Sequence, residues 1–69
     1  MSGSVYKLIE LTGTSSNSME EAVQNALVKA GESVRQMRWF TVTETRGTVD
    51  NGKVGEWQVT IKVGFKIED

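Results

Sequence analysis

The chain has 69 residues, room for a single domain that buries too little of its own surface to stand without a staple. It has no cysteine and no histidine, so disulfides are excluded and a structural zinc would rest on carboxylates alone; oligomerisation is the staple left. The formal net charge of −1, from 8 basic and 9 acidic residues, lacks the basic surplus of a nucleic-acid binder.

No run approaches a membrane span. Met1 to Leu11 carries Lys7 and Glu10 within its apolar stretch and has no signal-peptide layout, so the expected location is cytoplasmic. Val5 to Leu11 reads as a strand, with Val5, Ile9 and Leu11 on one face and Tyr6 and Leu8 on the other. A strand covered by one helix alone should alternate cleanly between apolar and polar. Two apolar faces predict a second cover, supplied by another subunit.

Thr12 to Asn17 reads as a polar loop containing Gly13. Ser18 then precedes Glu21 at the spacing of a capping box, which opens a helix. Met19, Ala22, Val23, Ala26, Leu27, Ala30 and Val34 form its apolar stripe, with Glu20, Gln24, Lys29 and Glu32 opposite. The stripe predicts a helix ending near Arg35 to Met37. From Arg38 the period changes to two: Phe40 and Val42 share one face, and Trp39, Thr41, Thr43 and Thr45 the other. Asp50-Asn51-Gly52-Lys53 supplies an Asn-Gly hairpin turn. The returning strand places Trp57, Val59, Ile61, Val63, Phe65 and Ile67 on one face, and Gln58, Thr60, Lys62, Gly64 and Lys66 on the other.

The predicted class is therefore α+β, a single β-α-β-β domain over residues 1–69. The crossover makes the first two strands parallel in direction and the hairpin makes the third antiparallel to both, giving a three-stranded antiparallel sheet of order 1-3-2 on one helix. A helix of about 17 residues spans about 25 Å. Hairpin strands of about 12 residues reach about 40 Å. The helix cannot cover such a sheet, and the uncovered part needs a partner.

Catalytic readings fail early. Serine–histidine and cysteine–histidine arrangements are impossible, and no side chain titrates near neutral pH in its unperturbed state. Glu20 and Glu21 are paired carboxylates in the first helical turn, where they complement the helix dipole. Thr12-Gly13-Thr14-Ser15 lacks the Gly-x-x-x-x-Gly-Lys pattern of a phosphate loop and reads as a loop feeding the helix cap. The expectation is a protein that is not an enzyme.

Trp39 is the informative residue. A large aromatic among threonines marks an interface or a planar ligand, and subunit packing and ligand stacking both stay open. Gln58 lies on the same side, with an amide that can donate and accept to a heteroaromatic edge or simply face solvent. In a plain two-residue-turn register Arg46 faces Trp57 and Gln58 faces Thr45. Arg46 then offers either a cation–π contact or a phosphate contact. Lys62 and Lys66 read as solvated edge charges.

These residues carry a resemblance. Val5-Tyr6-Lys7-Leu8-Ile9-Glu10-Leu11-Thr12-Gly13-Thr14-Ser15, Arg38-Trp39-Phe40-Thr41-Val42, Arg46-Gly47-Thr48, Gly52-Lys53-Val54 and Gln58-Val59-Thr60-Ile61-Lys62-Val63-Gly64-Phe65 together, in this order and spacing, resemble the dodecin family. The resemblance implies a homododecamer forming a hollow shell of cubic symmetry, with flavins bound in antiparallel pairs between tryptophans of symmetry-related subunits. It implies that Trp39 stacks on the flavin, that Gln58 bonds its pyrimidine edge and that Arg46 meets the phosphate of FMN. It further implies storage of FMN or riboflavin with quenching of their photochemistry, without turnover, and coenzyme A as a second ligand of some members. The alternative is a structural shell or coenzyme A carrier in which Trp39 serves packing. In the plain register Trp39 lies six residues from Thr45, opposite Gln58, or about 20 Å. One flavin would then draw its tryptophan and its glutamine from different chains, unless a bulge moves Gln58.

Overall fold

Val59, Ile61 and Val63 on one face of the last strand are the seed of the core, and the rest of the chain is arranged to cover them. The computed structural model describes residues 3–67: β1 (Tyr6–Ser15), α1 (Met19–Gly31), β2 (Met37–Asp50) and β3 (Lys53–Lys66). The sheet order is β1-β3-β2 with both pairings antiparallel, as expected from the sequence. The helix lays Ala22 and Ala26 on Val59, Ile61 and Val63, and Ile9, Leu11, Val23, Leu27 and Met37 close round them.

Two element boundaries differ from expectation. Thr12 to Ser15 continue β1 rather than forming a loop, and Gly13 pairs with Val59. Gly13 faces the helix there. A Cβ on it would collide with the Ala22 carbonyl oxygen and sit 2.9 Å from the Ala26 side chain, so the glycine is what lets α1 seat on the sheet. Gly13→Ala is expected to destabilise the fold by about 3 kcal/mol, the upper end of ordinary overpacking because backbone must move; chemical denaturation measures it. The helix also ends earlier, at Gly31. Glycine is a poor helix interior residue, and the chain turns through Glu32 and Ser33 to Gln36, whose positive φ of 65° redirects it into β2.

The capping box is half realised. Ser18 Oγ accepts from the Glu21 N–H at 3.0 Å, but the Glu21 carboxylate accepts from Ser15 Oγ at 2.6 Å and Asn17 Nδ2 at 2.7 Å. Those bonds, Ser15 first, hold the Glu21 carboxyl below its ordinary value of 4.5.

Asn51 (φ 53°) and Gly52 (φ 77°) are both left-handed, the geometry of a type I′ hairpin turn. Beyond the turn the register departs from the plain one. Gly55 and Glu56 together oppose Thr48, whose Oγ1 takes up the Glu56 N–H at 2.9 Å. This bulge shifts the pairing by one residue, so Arg46 faces Gln58 and Gly47 faces Trp57. The expected Arg46–Trp57 and Gln58–Thr45 pairs are thereby replaced. Thr45 moves to the helix side, opposite Val59. A second bulge at Thr43 restores the alternation, so Phe40 and Val42 face the helix side, and Trp39 and Thr41 the open side.

A 13-residue helix spans about 20 Å, while 14-residue strands reach about 46 Å. The helix sits on β1 and β3, and every residue of β2 from Arg38 to Asp50 is exposed. Phe40 and Val42 remain 46% and 44% exposed although they point to the helix side. The chain exposes 5096 Å², against about 4,300 Å² for a folded monomer of its 7.6 kDa mass. The excess lies on a sheet that lacks its second cover.

Candidate functional site

The face of the sheet away from α1 carries Tyr6, Leu8, Glu10 and Thr12 from β1, Gln58, Thr60, Lys62 and Gly64 from β3, and Trp39, Thr41, Glu44 and Arg46 from β2. Two groups of side chains are built on it.

At one end Trp39 pairs with Gly64, and a Cβ on Gly64 would fall among the Cζ2, Cε2 and Cη2 atoms of the indole. The missing side chain is the seat of the ring. Tyr6 on β1 braces the indole from across Gly64, with centroids 5.0 Å apart and planes at 63°, an edge-to-face pair. Trp39 is still 43% exposed after these contacts, so it presents aromatic surface on the open face. Sequence reasoning found Trp39 and missed Gly64 and Tyr6. The available signal was a glycine on the central strand, on the open face.

At the other end the bulge beside the hairpin brings Arg46 and Gln58 together. Arg46 Nε donates to Gln58 Oε1 at 2.6 Å, Gln58 Nε2 donates to Glu56 Oε1 at 3.1 Å, and Arg46 Nη1 lies 3.6 Å from Glu44 Oε1. Gln58 lies opposite Arg46 and Trp39 opposite Gly64. The six residue steps from Gln58 to Gly64 on β3 span about 20 Å. The bulges thus leave the expected separation of Trp39 and Gln58 in place while joining Gln58 to Arg46.

Away from this face, a hollow of about 500 Å³ opens beyond the helix C-terminus, lined by Lys7, Arg35, Gln36, Phe65 and Lys66 among others. Lys66 therefore belongs to a concave basic surface. With Lys62 it lies on the central strand, so neither guards a sheet edge. Among the described residues no cluster of acidic side chains could hold a metal, and no helix is long and apolar enough to cross a membrane.

A small β-α-β-β subunit with an uncovered sheet and a seated aromatic side chain on its open face defines a class of proteins that assemble through the sheet. A sequence model of the dodecin family matches residues 5–68. The chain is 46% identical over 67 residues to the dodecin of Thermus thermophilus, covering 97% of each. It is 36% identical over 64 residues to the calcium dodecin of Mycobacterium tuberculosis, covering 93% of this chain and 90% of the other. Among solved structures, dodecin from Streptomyces coelicolor superposes with a TM-score of 0.94 at 40% identity, over 100% of this chain and 99% of that one. The tt0972 protein of Thermus thermophilus superposes with a TM-score of 0.93 at 46% identity, over 97% and 98%. The chain belongs to the dodecin family.

Proposed function

We propose that this chain stores flavin, holding FMN or riboflavin in stacked pairs between the Trp39 indoles of neighbouring subunits of a hollow cytoplasmic homododecamer. The observation that carries the reading is the seated indole: Trp39 lies against Gly64, is braced by Tyr6, and keeps aromatic surface open on a sheet face with no helix over it. The bound flavin supplies its own light absorption and redox chemistry; the chain supplies a stacking surface and polar contacts, and performs no turnover. Gln58 meets the pyrimidine edge of the ring. Arg46 spends Nε on Gln58 and holds Nη1 3.6 Å from Glu44 Oε1, which leaves Nη2 for the phosphate of FMN.

Titrating FMN with the chain should quench flavin emission to saturation, and emission unchanged at micromolar protein overturns the reading. Arg46→Ala separates the two contacts of that arginine. A charge-assisted phosphate contact is worth about 1.5–3 kcal/mol, or roughly ten- to a hundredfold in affinity, so FMN should weaken by that factor more than riboflavin. Equal losses for the two flavins would place the whole effect of Arg46 on Gln58.

The second reading, a coenzyme A carrier, has one observation in its favour. The hollow beside the helix C-terminus presents Lys7, Arg35 and Lys66, three cations suited to a polyphosphate. Competition between coenzyme A and FMN for the same particle distinguishes one shared site from two.

A further inference from the structure

In the arrangement above Glu56 touches no ligand, yet it closes the polar chain that holds Gln58. The Gln58 amide has two acceptor lone pairs and two N–H donors. Its two neighbours have no such freedom: the Arg46 guanidinium can only donate, and an ionised Glu56 carboxylate can only accept. Arg46 Nε at 2.6 Å therefore fixes the oxygen of the amide, and Glu56 Oε1 at 3.1 Å fixes its nitrogen. An amide held at both ends cannot flip. Half of its bonding capacity is spent within the chain, which leaves one lone pair and one N–H.

We propose that Glu56 is a positioning residue that, together with Arg46, locks the Gln58 amide in one orientation. The site then selects ring edges on which an N–H lies next to a C=O, the pattern of a cyclic imide or lactam. This rests on the flavin reading and adds to it the feature that the site reads. The bulge is what makes the lock possible, because in the plain register Arg46 would face Trp57 and leave the amide oxygen free. Glu56 and Gln58 are two apart on β3 and share its open face, and both are half-buried. Holding the amide in advance removes the cost of ordering it when a ligand arrives.

The test is a double-mutant cycle on the assembled protein, read by quenching of riboflavin and of N3-methylriboflavin, which lacks the ring N–H. Glu56→Gln keeps the length of the side chain but restores both donor and acceptor character, so the lock is lost. Riboflavin should then bind about three- to tenfold more weakly, the scale of one ordinary hydrogen bond, because the amide is still there and only its orientation is released. N3-methylriboflavin should change by less than that. Quenching at saturation should be unaltered, because the Trp39 stack is untouched. In a Gln58→Ala background, Glu56→Gln should change neither flavin, since the amide it positions is gone. Losses that persist in that background, or that are equal for the two flavins, overturn the role of Glu56 and leave the flavin reading standing. A wild-type chain that quenches neither flavin overturns the flavin reading itself.

Discussion

Replacing Trp39 by alanine should remove most of the affinity for flavin and restore the emission of added flavin to that of free ligand. Stacking of a base on an aromatic side chain is worth about 1–3 kcal/mol per contact, and in a paired arrangement each flavin stacks on one indole and on its partner flavin. Without the indole the outer contact is lost and the inner pair is no longer held in register. A loss of about 3 kcal/mol corresponds to more than a hundredfold in affinity. The fold should survive, because Trp39 lies on the open face and outside the core of Ala22, Ala26, Val59, Ile61 and Val63. Particle mass and far-ultraviolet circular dichroism, taken beside the titration, separate ligand stacking from subunit packing. A Trp39→Ala chain that quenches flavin like the wild type, or one that loses its assembly, assigns Trp39 to packing. Trp39→Phe should lie between, since a phenyl ring keeps a stacking face with less area over Gly64.

Much of this site was legible because the two clearest signals in the sequence are also its supports. The unbroken alternation of Val59, Ile61 and Val63 forces Gln58, Lys62 and Gly64 to the opposite face, and that face holds once β3 is central. The Asn51-Gly52 turn fixes β2 beside β3, which places Trp39 on the same side as Gln58. The register near the turn was not legible. It depends on Gly55 lacking a side chain and on the Thr48 hydroxyl taking the Glu56 N–H, a tertiary arrangement that no periodicity announces. The pairing of Arg46 with Gln58 follows from that bulge alone. Gly13 misleads in the same way, read as loop where it is strand, while Gly64 is placed correctly but its purpose is not announced. A glycine in sequence suggests a loop or a weak strand, whereas here one makes room for a helix backbone and the other for an indole. The helix end was overestimated because Val34 keeps the apolar period after Gly31 has already stopped the helix.

The native particle should be far larger than one chain, with light scattering on a size-exclusion column giving about twelve times the 7.6 kDa of the protomer. The number twelve rests on the family; the need to assemble rests on the fold. Both faces of β2 are bare over thirteen of its fourteen residues. Phe40 and Val42 stand on one of them and Trp39 on the other, a density of apolar surface that a stable monomer does not keep. The β2 edge is also an unpaired row of backbone donors and acceptors, which a neighbour can cover. A folded monomer or dimer at micromolar concentration would remove both the shell and the proposed site. The same geometry dictates how the site must be shared. Trp39 and Gln58 lie about 20 Å apart within one chain, a distance about twice the length of an isoalloxazine ring, so one flavin that touches both must draw them from two subunits. Chains carrying Trp39→Ala and chains carrying Gln58→Ala, refolded together, can then complete sites that neither makes alone. Such mixed particles should bind part of the flavin more tightly than particles of either variant alone. If each site took both residues from one chain, every site in the mixture would lack one of them, and no tight fraction would appear.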